Sequence, residues 1–264
     1  MRRSPLPFLG AFVAAIAATA ACSSSATPEG SGTGDAGFVP LGDGGFVDAP
    51  EQSREKPKTD GGFVGPDGSV IREDRFVSNV VSFTPGACAG FGASEMPAIV
   101  LGPPVGAGDT RGGLDVVSLG IGGEIVVGFG DNEIVDQPGP DFIVFENAFF
   151  AAGDPSIPAA DLAEVSVSSD GVTWKTFPCA PGPSAPYGAC AGWRPVYSAP
   201  DNGVSPVEVG RAGGDPYDLG DLGLASAKLV RIRDLSTLTC DGMPKPVNLG
   251  FDLDAVAIVH AKKP

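Results

Sequence analysis

The chain has 264 residues and carries 32 acidic against 17 basic side chains, which gives a formal net charge of −15 at pH 7. This charge repels phosphate backbones and no basic stripe interrupts it, so nucleic acid is excluded as an expected partner. The 39 glycines and 26 prolines argue against long helices. The surplus carboxylates suit either solubility through mutual repulsion or the binding of divalent cations, and bulk charge does not separate the two.

Residues 1–21 have the pattern of an export signal. Two arginines precede a short apolar run that ends in small residues, "LPFLGAFVAAIAATAA", and this run is too short for a membrane-spanning helix. The next stretch, "TAACSSS", resembles the bacterial lipobox, although Thr19 replaces the usual Leu-like residue. That resemblance implies that Cys22 is the lipidated N-terminus, with Ser23 favouring the outer membrane or cell surface. An ordinary cleaved signal peptide remains the alternative.

Residues 22–73 are rich in Gly, Pro, Ser, Thr, Asp and Glu. The triplet Gly-Phe-Val occurs at 37–39, 45–47 and 62–64, and the irregular spacing argues against a solenoid repeat. The segment has too little apolar surface to offset the entropy lost on ordering. We therefore predict a flexible tether that carries a folded domain over 74–264.

The predicted domain consists of short β-type runs separated by Gly, Pro, Asp and Asn. Two of them contain hairpin signals, at Gly122–Gly123 and at Asp170–Gly171. The pattern predicts an all-β fold, an antiparallel β-sandwich or jelly roll. The runs are "VVSFTPG", "LDVVSLGIGGEIVVGFG", "DFIVFENAF", "AEVSVSSDGVTWKTFP", "KLVRIRDLS" and "FDLDAVAIVH".

Five cysteines are an odd number for an exported chain, and setting Cys22 aside for lipid leaves four. Cys179 and Cys190 bracket a Pro- and Gly-rich loop, and a disulfide there would stabilise the fold by roughly 3 kcal/mol in the chain-entropy model. Cys88 would then pair with Cys240. The absence of a CxxC pair argues against a zinc ribbon or a thioredoxin-like site.

Several stretches resemble known domains. "VSVSSDGVTWKTF", "AKLVRIRDLS" and "GFDLDAVAIV" are similar to the closing half of discoidin-like, galactose-binding-like jelly rolls. "LDVVSLGIGGEIVVGF", "GPDFIVFENAF", "GGDPYDLGDLG" and "FDLDAVAIV" resemble an uncharacterised family of bacterial secreted or lipid-anchored cell surface proteins, over about residues 76–260. The first resemblance implies a fold in which sugar binding and a structural calcium ion are common. The second implies no particular activity.

The common catalytic motifs are missing from the sequence. The single histidine, His260, lies close to the chain end, and there is no G-x-S-x-G elbow, H-E-x-x-H helix or Walker loop. We therefore predict that the protein is not an enzyme. Glycoside hydrolysis needs only two carboxylates about 5–10 Å apart, so a carboxylate-dependent polysaccharide hydrolase remains the alternative.

Acidic and amide side chains at strand ends and in a Gly-rich loop predict a calcium site. Glu146 and Asn147 follow the strand "DFIVF", and Asp215 and Asp218 belong to "GGDPYDLGDLG". Calcium takes six to eight oxygen ligands at about 2.4 Å from such groups. Neither stretch has the EF-hand spacing. The alternatives are turn formation and capping by the aspartates, and hydrogen bonding of the Glu146 and Asn147 side chains to a loop backbone.

Asp252 and Asp254 alternate within the strand "FDLDAVAIV", so their carboxylates are predicted to share one face and to repel each other. A calcium ion between them is one solution. Arg231 and Arg233 alternate in the same way in "LVRIRDL", so cross-strand ion pairs are a second solution, and a site that recognises a ligand is a third.

Four aromatic residues in Pro- and Gly-rich stretches are candidates for stacking on a sugar ring, whereas Trp174 beside the second hairpin is expected in the core. The candidates are Tyr187, Trp193, Tyr197 and Tyr217. Together these observations predict a surface-exposed, non-catalytic module that binds a glycan or another envelope component and contains a structural calcium ion. A purely structural envelope spacer is a further alternative.

Overall fold

The computed structural model describes Lys56, residues 58–60, 62–65, 67–241 and 249–263. The predicted export signal, the lipidation site Cys22 and most of the predicted tether lie outside these residues. The described part contains 17 short strands and five 3-10 helices, and no α-helix. The strands are β1 Lys58–Thr59, β2 Gly62–Val64, β3 Val70–Arg72, β4 Asn79–Thr84, β5 Val117–Ser118, β6 Glu124–Gly128, β7 Ile134–Val135, β8 Phe142–Phe145, β9 Phe149–Phe150, β10 Pro158–Ala159, β11 Ala163–Ser168, β12 Lys175–Thr176, β13 Asp215–Tyr217, β14 Ser226–Ala227, β15 Leu229–Asp234, β16 Asp252–Leu253 and β17 Ala255–Ile258. The 3-10 helices are Glu73–Arg75, Ala93–Glu95, Ala98–Val100, Ala151–Gly153 and Leu219–Leu222.

Two antiparallel sheets enclose the main core. One has five strands in the order β12-β11-β15-β6-β4, and the other has three in the order β13-β8-β17. Ile125, Val165 and Val230 of the larger sheet belong to one buried cluster with Phe142 and Val256 of the smaller sheet. The all-β, antiparallel sandwich prediction is confirmed, and the jelly-roll connectivity remains a prediction.

The smaller sheet is buried on both faces. Alternate residues of β8 point to opposite sides, so Phe142 enters the main core while Ile143 and Phe145 enter a second cluster with Phe63 and Phe76. This explains why "DFIVF" is continuously apolar and does not alternate with polar residues.

The predicted boundary of the tether at residue 73 differs from the structure. β1, β2 and β3 form a small antiparallel sheet before that point. Phe63 of β2 is 7% exposed and meets Phe76 edge-on, with 5.3 Å between the ring centroids. The polar, Gly-rich composition of this segment does not predict strands, because one aromatic side chain, Phe63, anchors the segment to an apolar cluster.

One of the two predicted hairpins forms. β11 pairs with β12 across Asp170–Gly171, and the Asp170 carboxylate accepts hydrogen bonds from the N–H groups of Val172 at 2.8 Å and Thr173 at 2.7 Å. The hairpin predicted at Gly122–Gly123 is wrong. The chain turns there, but β5 pairs with β16 and β6 pairs with β15 and β4, so the two strands that flank the turn have separate partners.

Both predicted disulfides are confirmed. The Cα atoms of Cys179 and Cys190 lie 4.4 Å apart and those of Cys88 and Cys240 lie 6.1 Å apart, each pair with its sulfurs bonded. Among the described residues, no helix is long and apolar enough to cross a membrane.

Candidate metal centre

Strand pairing brings three of the predicted ligands to the end of one strand. β8 ends at Phe145, directly before Glu146. β13 runs antiparallel to β8 with Asp215 opposite Val144, and β17 runs antiparallel on the other side with Ala255 opposite Phe145. Both neighbours therefore begin where β8 ends, which places Asp215 and Asp252 on either side of Glu146.

Glu146 is the central residue of this group. Its side chain is 2% exposed, and Oε2 has no hydrogen-bond partner among the described residues. Burial, and then the charges of Asp252, Asp161 and Asp215, raise the pKa of its carboxyl well above the ordinary value. A buried carboxylate without a counter-charge is costly, so this position favours either a proton or a cation.

Asp215 links the acidic group to the loop that carries Trp193. Its Oδ2 accepts hydrogen bonds from the N–H groups of Gly192 at 2.7 Å and Trp193 at 3.3 Å. Its Oδ1 lies 3.8 Å from Nη1 of Arg194, beyond hydrogen-bonding distance, and has no hydrogen-bond partner in the described part of the chain. Burial raises the pKa of Asp215 to about 7, against the opposing charge of Arg194 and the N–H bonds.

Asp252 is the first residue of β16 and lies near Glu146. Its Oδ2 accepts a hydrogen bond from the Asn147 side chain at 3.3 Å, while Oδ1 is buried and without a hydrogen-bond partner within the described residues. Burial raises the pKa of Asp252 to about 6, and the hydrogen bonds from Ser118 and Asn147 oppose this rise. Asn147 also donates to the Gly113 carbonyl at 3.2 Å, so its amide is held against the group.

The sequence interpretation missed Asp161, which lies between β10 and β11. Asp161 as a whole residue is exposed, while the protein around its carboxyl group displaces part of the water and raises its pKa. The charge of this carboxyl group acts on both Glu146 and Asp252. No local motif marks it, because "AADLAEV" is an ordinary strand approach. Its backbone lies against Gly192, since a Cβ built on Gly192 would be 1.9 Å from the Asp161 carbonyl oxygen.

We call Glu146, Asp161, Asp215, Asp252 and Asn147 the acidic centre. It contains four carboxyl groups, and Arg194 is the cation that acts on Asp215. Three of its carboxylate oxygens are buried and make no hydrogen bond in the described structure. A divalent cation would offset the repulsion between such oxygens, although among the described residues the three carboxylates whose oxygens lie within 4.8 Å of one another are those of Asp136, Asp141 and Asp218.

Asp254 is separate from the acidic centre. Both of its oxygens accept from the Val105 N–H, at 3.1 and 2.9 Å, and burial raises its pKa to about 8. The predicted pairing of Asp252 and Asp254 with Arg231 and Arg233 is wrong. The arginines lie on β15, whose neighbours are β11 and β6 in the other sheet. Arg231 instead stacks over Trp174, 4.6 Å from the ring centroid.

Asp218 belongs to a second acidic cluster. Its carboxylate and those of Asp136 and Asp141 approach within 4.8 Å of one another, so this triad could hold a metal ion. Asp141 is already satisfied by protein donors, since its oxygens accept from the N–H groups of Gln137 and Leu219 and lie 2.8 Å from His260 Nδ1. Asp218 also caps the 3-10 helix Leu219–Leu222 by accepting from the Gly220 N–H at 2.8 Å. The capping interpretation of Asp218 therefore holds.

The predicted aromatic residues divide into three environments. Tyr217 lies on β13, is 2% exposed and stacks on Phe142 in the core, so its assignment to a binding loop is wrong. Tyr187 is 8% exposed and packs edge-on against Trp193, whose indole lies under Arg194 at 4.3 Å. Tyr197 is 37% exposed.

Trp174 was expected in the core and is instead half-buried on the outer side of the larger sheet. The short strand β12 is an edge strand, and the exposed sheet surface next to it provides Arg231 as a cation partner for the indole ring.

No protein-family model matches the chain, and no curated protein matches it. One solved structure, described as "Glycoside hydrolase", aligns over 52% of this chain with 16% sequence identity and a TM-score of 0.23. The alignment covers 19% of that structure's own chain. A TM-score of this size does not establish a shared fold.

Proposed function

We propose that the protein is a surface-exposed, non-catalytic β-sandwich that binds a glycan or another envelope component, and that the acidic centre binds a structural calcium ion. The observation that carries the metal assignment is the set of buried, unpartnered oxygens on Glu146, Asp215 and Asp252. Their oxygens suit the hard-ligand chemistry of Ca²⁺, and the raised pKa values show that the protein environment opposes free carboxylates there.

The calcium ion would organise the loop that carries the aromatic candidates. Asp215 holds the backbone N–H groups of Gly192 and Trp193, so a cation that fixes Asp215 also fixes this loop. Trp193 and Arg194 then present an aromatic and cationic surface to a ligand, and the buried Tyr187 supports the indole ring from the side. Loops positioned by a rigid scaffold are common binding sites in sandwich folds.

Catalysis by the acidic centre is the rival function. Raised carboxyl pKa values are typical of general acids, which favours a hydrolase at first sight. The oxygens of Glu146, Asp215 and Asp252 that lack partners are buried, however, so a polysaccharide cannot reach them in this conformation. We therefore assign these carboxylates to metal binding, and we propose that Cys22 attaches the domain to the outer membrane or cell surface.

Thermal unfolding of the metal-stripped full chain, with and without millimolar Ca²⁺, tests the metal assignment. A ligand present at 100 times its dissociation constant adds about 2.7 kcal/mol to the free energy of unfolding. The Glu146→Gln variant should lose this stabilisation and, without metal, unfold close to the wild-type temperature, because Gln has the shape of the protonated carboxyl that burial favours. Glu95→Gln, at an exposed carboxyl, is the matched control. An equal calcium response in wild type and Glu146→Gln would refute the acidic centre as the site.

Glycan-array retention and product analysis separate the three functional classes. A binding module should show saturable retention on a glycan and release no product. A hydrolase should release product and lose this activity when either carboxylate of its pair is replaced. A structural spacer should show neither, and that result would contradict the proposed binding function.

A further inference from the structure

A cavity of about 370 Å³ lies between the N-terminal strands and the loop 203–211, apart from the acidic centre. Three arginines line it, Arg72, Arg75 and Arg211, together with the carboxylates of Asp67 and Glu208. Its volume is within the range of small-molecule pockets, about 300–1,000 Å³. We refer to it as the arginine cavity.

Two of the arginines have their own carboxylates. Arg72 donates Nε and Nη2 to Asp74 at 2.9 and 2.6 Å, and Arg211 donates Nη1 to both oxygens of Glu208 at 3.2 and 3.1 Å. Arg211 is exposed, and these bonds leave its Nε and Nη2 free to donate.

Arg75 has no carboxylate within ion-pair distance among the described residues. Its Nη2 donates to the Val259 carbonyl, and its buried Nε has no hydrogen-bond partner in that part of the chain. Burial lowers the pKa of Arg75, and only the more distant charge of Asp74 opposes this effect. The Arg75 guanidinium lines the cavity, is partly buried and has a neutral acceptor, so an anion in the cavity would offset its charge.

We propose that the arginine cavity binds the carboxylate of an acidic sugar, with Arg75 and Arg211 as its cationic contacts. A planar carboxylate matches the fork of N–H donors on a guanidinium. Ser69 and Ser205 also line the cavity and supply hydroxyl groups for the remaining polar atoms of a sugar, while Ile71 and Val207 supply apolar surface. The choice of a sugar among carboxylate ligands rests on the proposed glycan-binding function.

Calorimetric titration of the full chain with glucuronate, glucose and sulfate tests this proposal. Glucuronate should bind, glucose should not, and the affinity for glucuronate should fall with added salt. Arg211→Gln should weaken glucuronate binding about threefold to tenfold, and Arg75→Gln should weaken it by tenfold or more, as expected for lost charge-assisted hydrogen bonds. Arg233→Gln removes the same charge from the exposed surface of the larger sheet and should leave the affinity unchanged.

Four results would overturn the proposal: no glucuronate binding, equal binding of glucose, tighter binding of sulfate, or unchanged affinity in both cavity variants. If Arg75→Gln does not fold, Arg211→Gln decides alone, because that side chain is exposed and its loss leaves the core intact. The calcium experiment measures Glu146 and not this cavity, so either proposal can fail without the other.

Discussion

At the scale of single residues, carboxyl groups have pKa values that shift in opposite directions in different surroundings. Glu146 and Asp254 are buried and their pKa values are raised, whereas the exposed Asp170 has a pKa lowered to about 2 by the backbone N–H groups of Thr173 and Val172 and by Ser168. Desolvation penalises the ionised form, and hydrogen bonds to the ionised form favour it. Residue type alone therefore did not separate turn-forming aspartates from candidate ligands.

Replacement of Asp170 by alanine should destabilise the β11–β12 hairpin at neutral pH. Because the pKa is lower in the folded state than in the unfolded state, ionisation of Asp170 stabilises the fold above about pH 4. This stabilisation should disappear as the pH falls toward 2. We expect the variant to melt about 2–4 °C below the wild type at pH 7 and to approach it in acid. A difference in melting temperature that stays constant with pH would contradict this account.

At the scale of elements, the acidic centre depends on the close approach of the loop at Gly192 to the segment before β11 and to β13. Gly192 has a φ of +91°, and its missing Cβ allows the Asp161 carbonyl to approach from one side while its N–H reaches Asp215 on the other. The loop, the Asp161 backbone and the Asp215 carboxylate therefore form one assembly, to which the disulfide between Cys179 and Cys190 is adjacent in sequence.

The Gly192→Ala variant should disturb this assembly. Its Cβ would meet the Asp161 carbonyl oxygen at 1.9 Å and a Phe251 ring carbon at 3.0 Å, and its backbone would be strained. We expect a loss of about 2–3 kcal/mol in the free energy of unfolding and a weaker calcium response. Gly182→Ala, within the neighbouring loop closed by the Cys179–Cys190 disulfide, is the control, since no heavy atom lies within 4 Å of its Cβ. Equal stability of the two variants in chemical denaturation would exclude the close approach.

At the scale of the whole molecule, the sandwich holds several carboxyl groups that resist ionisation. The pKa values are raised to about 6 for Asp252, about 7 for Asp215 and about 8 for Asp254. Without metal the folded state binds protons that the unfolded state has already released, so the free energy of unfolding should fall as the pH rises from about 4 to 8. This direction is opposite to that for Asp170.

Urea unfolding between pH 4.5 and 8.5, in EDTA and in Ca²⁺, tests this pH dependence. In EDTA the stability should decrease with rising pH, and Ca²⁺ should recover the part that belongs to Asp215 and Asp252. The part that belongs to Asp254 should persist in Ca²⁺ and disappear in Asp254→Asn. A stability that rises with pH in EDTA would show that these carboxylates ionise without cost in the folded protein.

The sequence alone determined the all-β class, the Asp170–Gly171 hairpin and the local cysteine pair Cys179–Cys190, whereas Cys88–Cys240 followed only as the remaining pair. These features depend on local composition and turn chemistry, or on a count of four remaining cysteines. The same reasoning selected Glu146, Asn147, Asp215 and Asp252 as candidate ligands, because they are polar residues at strand ends or in a Gly-rich loop, and their role as ligands stays a prediction. It could not distinguish them from Asp218 and Asp254, since the Asp spacing in each stretch is regular.

The tertiary structure decided which of these residues meet. Asp252 and Asp254 are two positions apart in sequence, but β16 and β17 join different sheets, so only Asp252 reaches the acidic centre. Asp161 and the arginine cavity have no sequence signal, because they arise where distant segments pack together. Strand pairing depends on the total apolar surface that distant strands bury, which no local sequence pattern contains. Strand pairing therefore decided which carboxylates and which arginines lie close to one another.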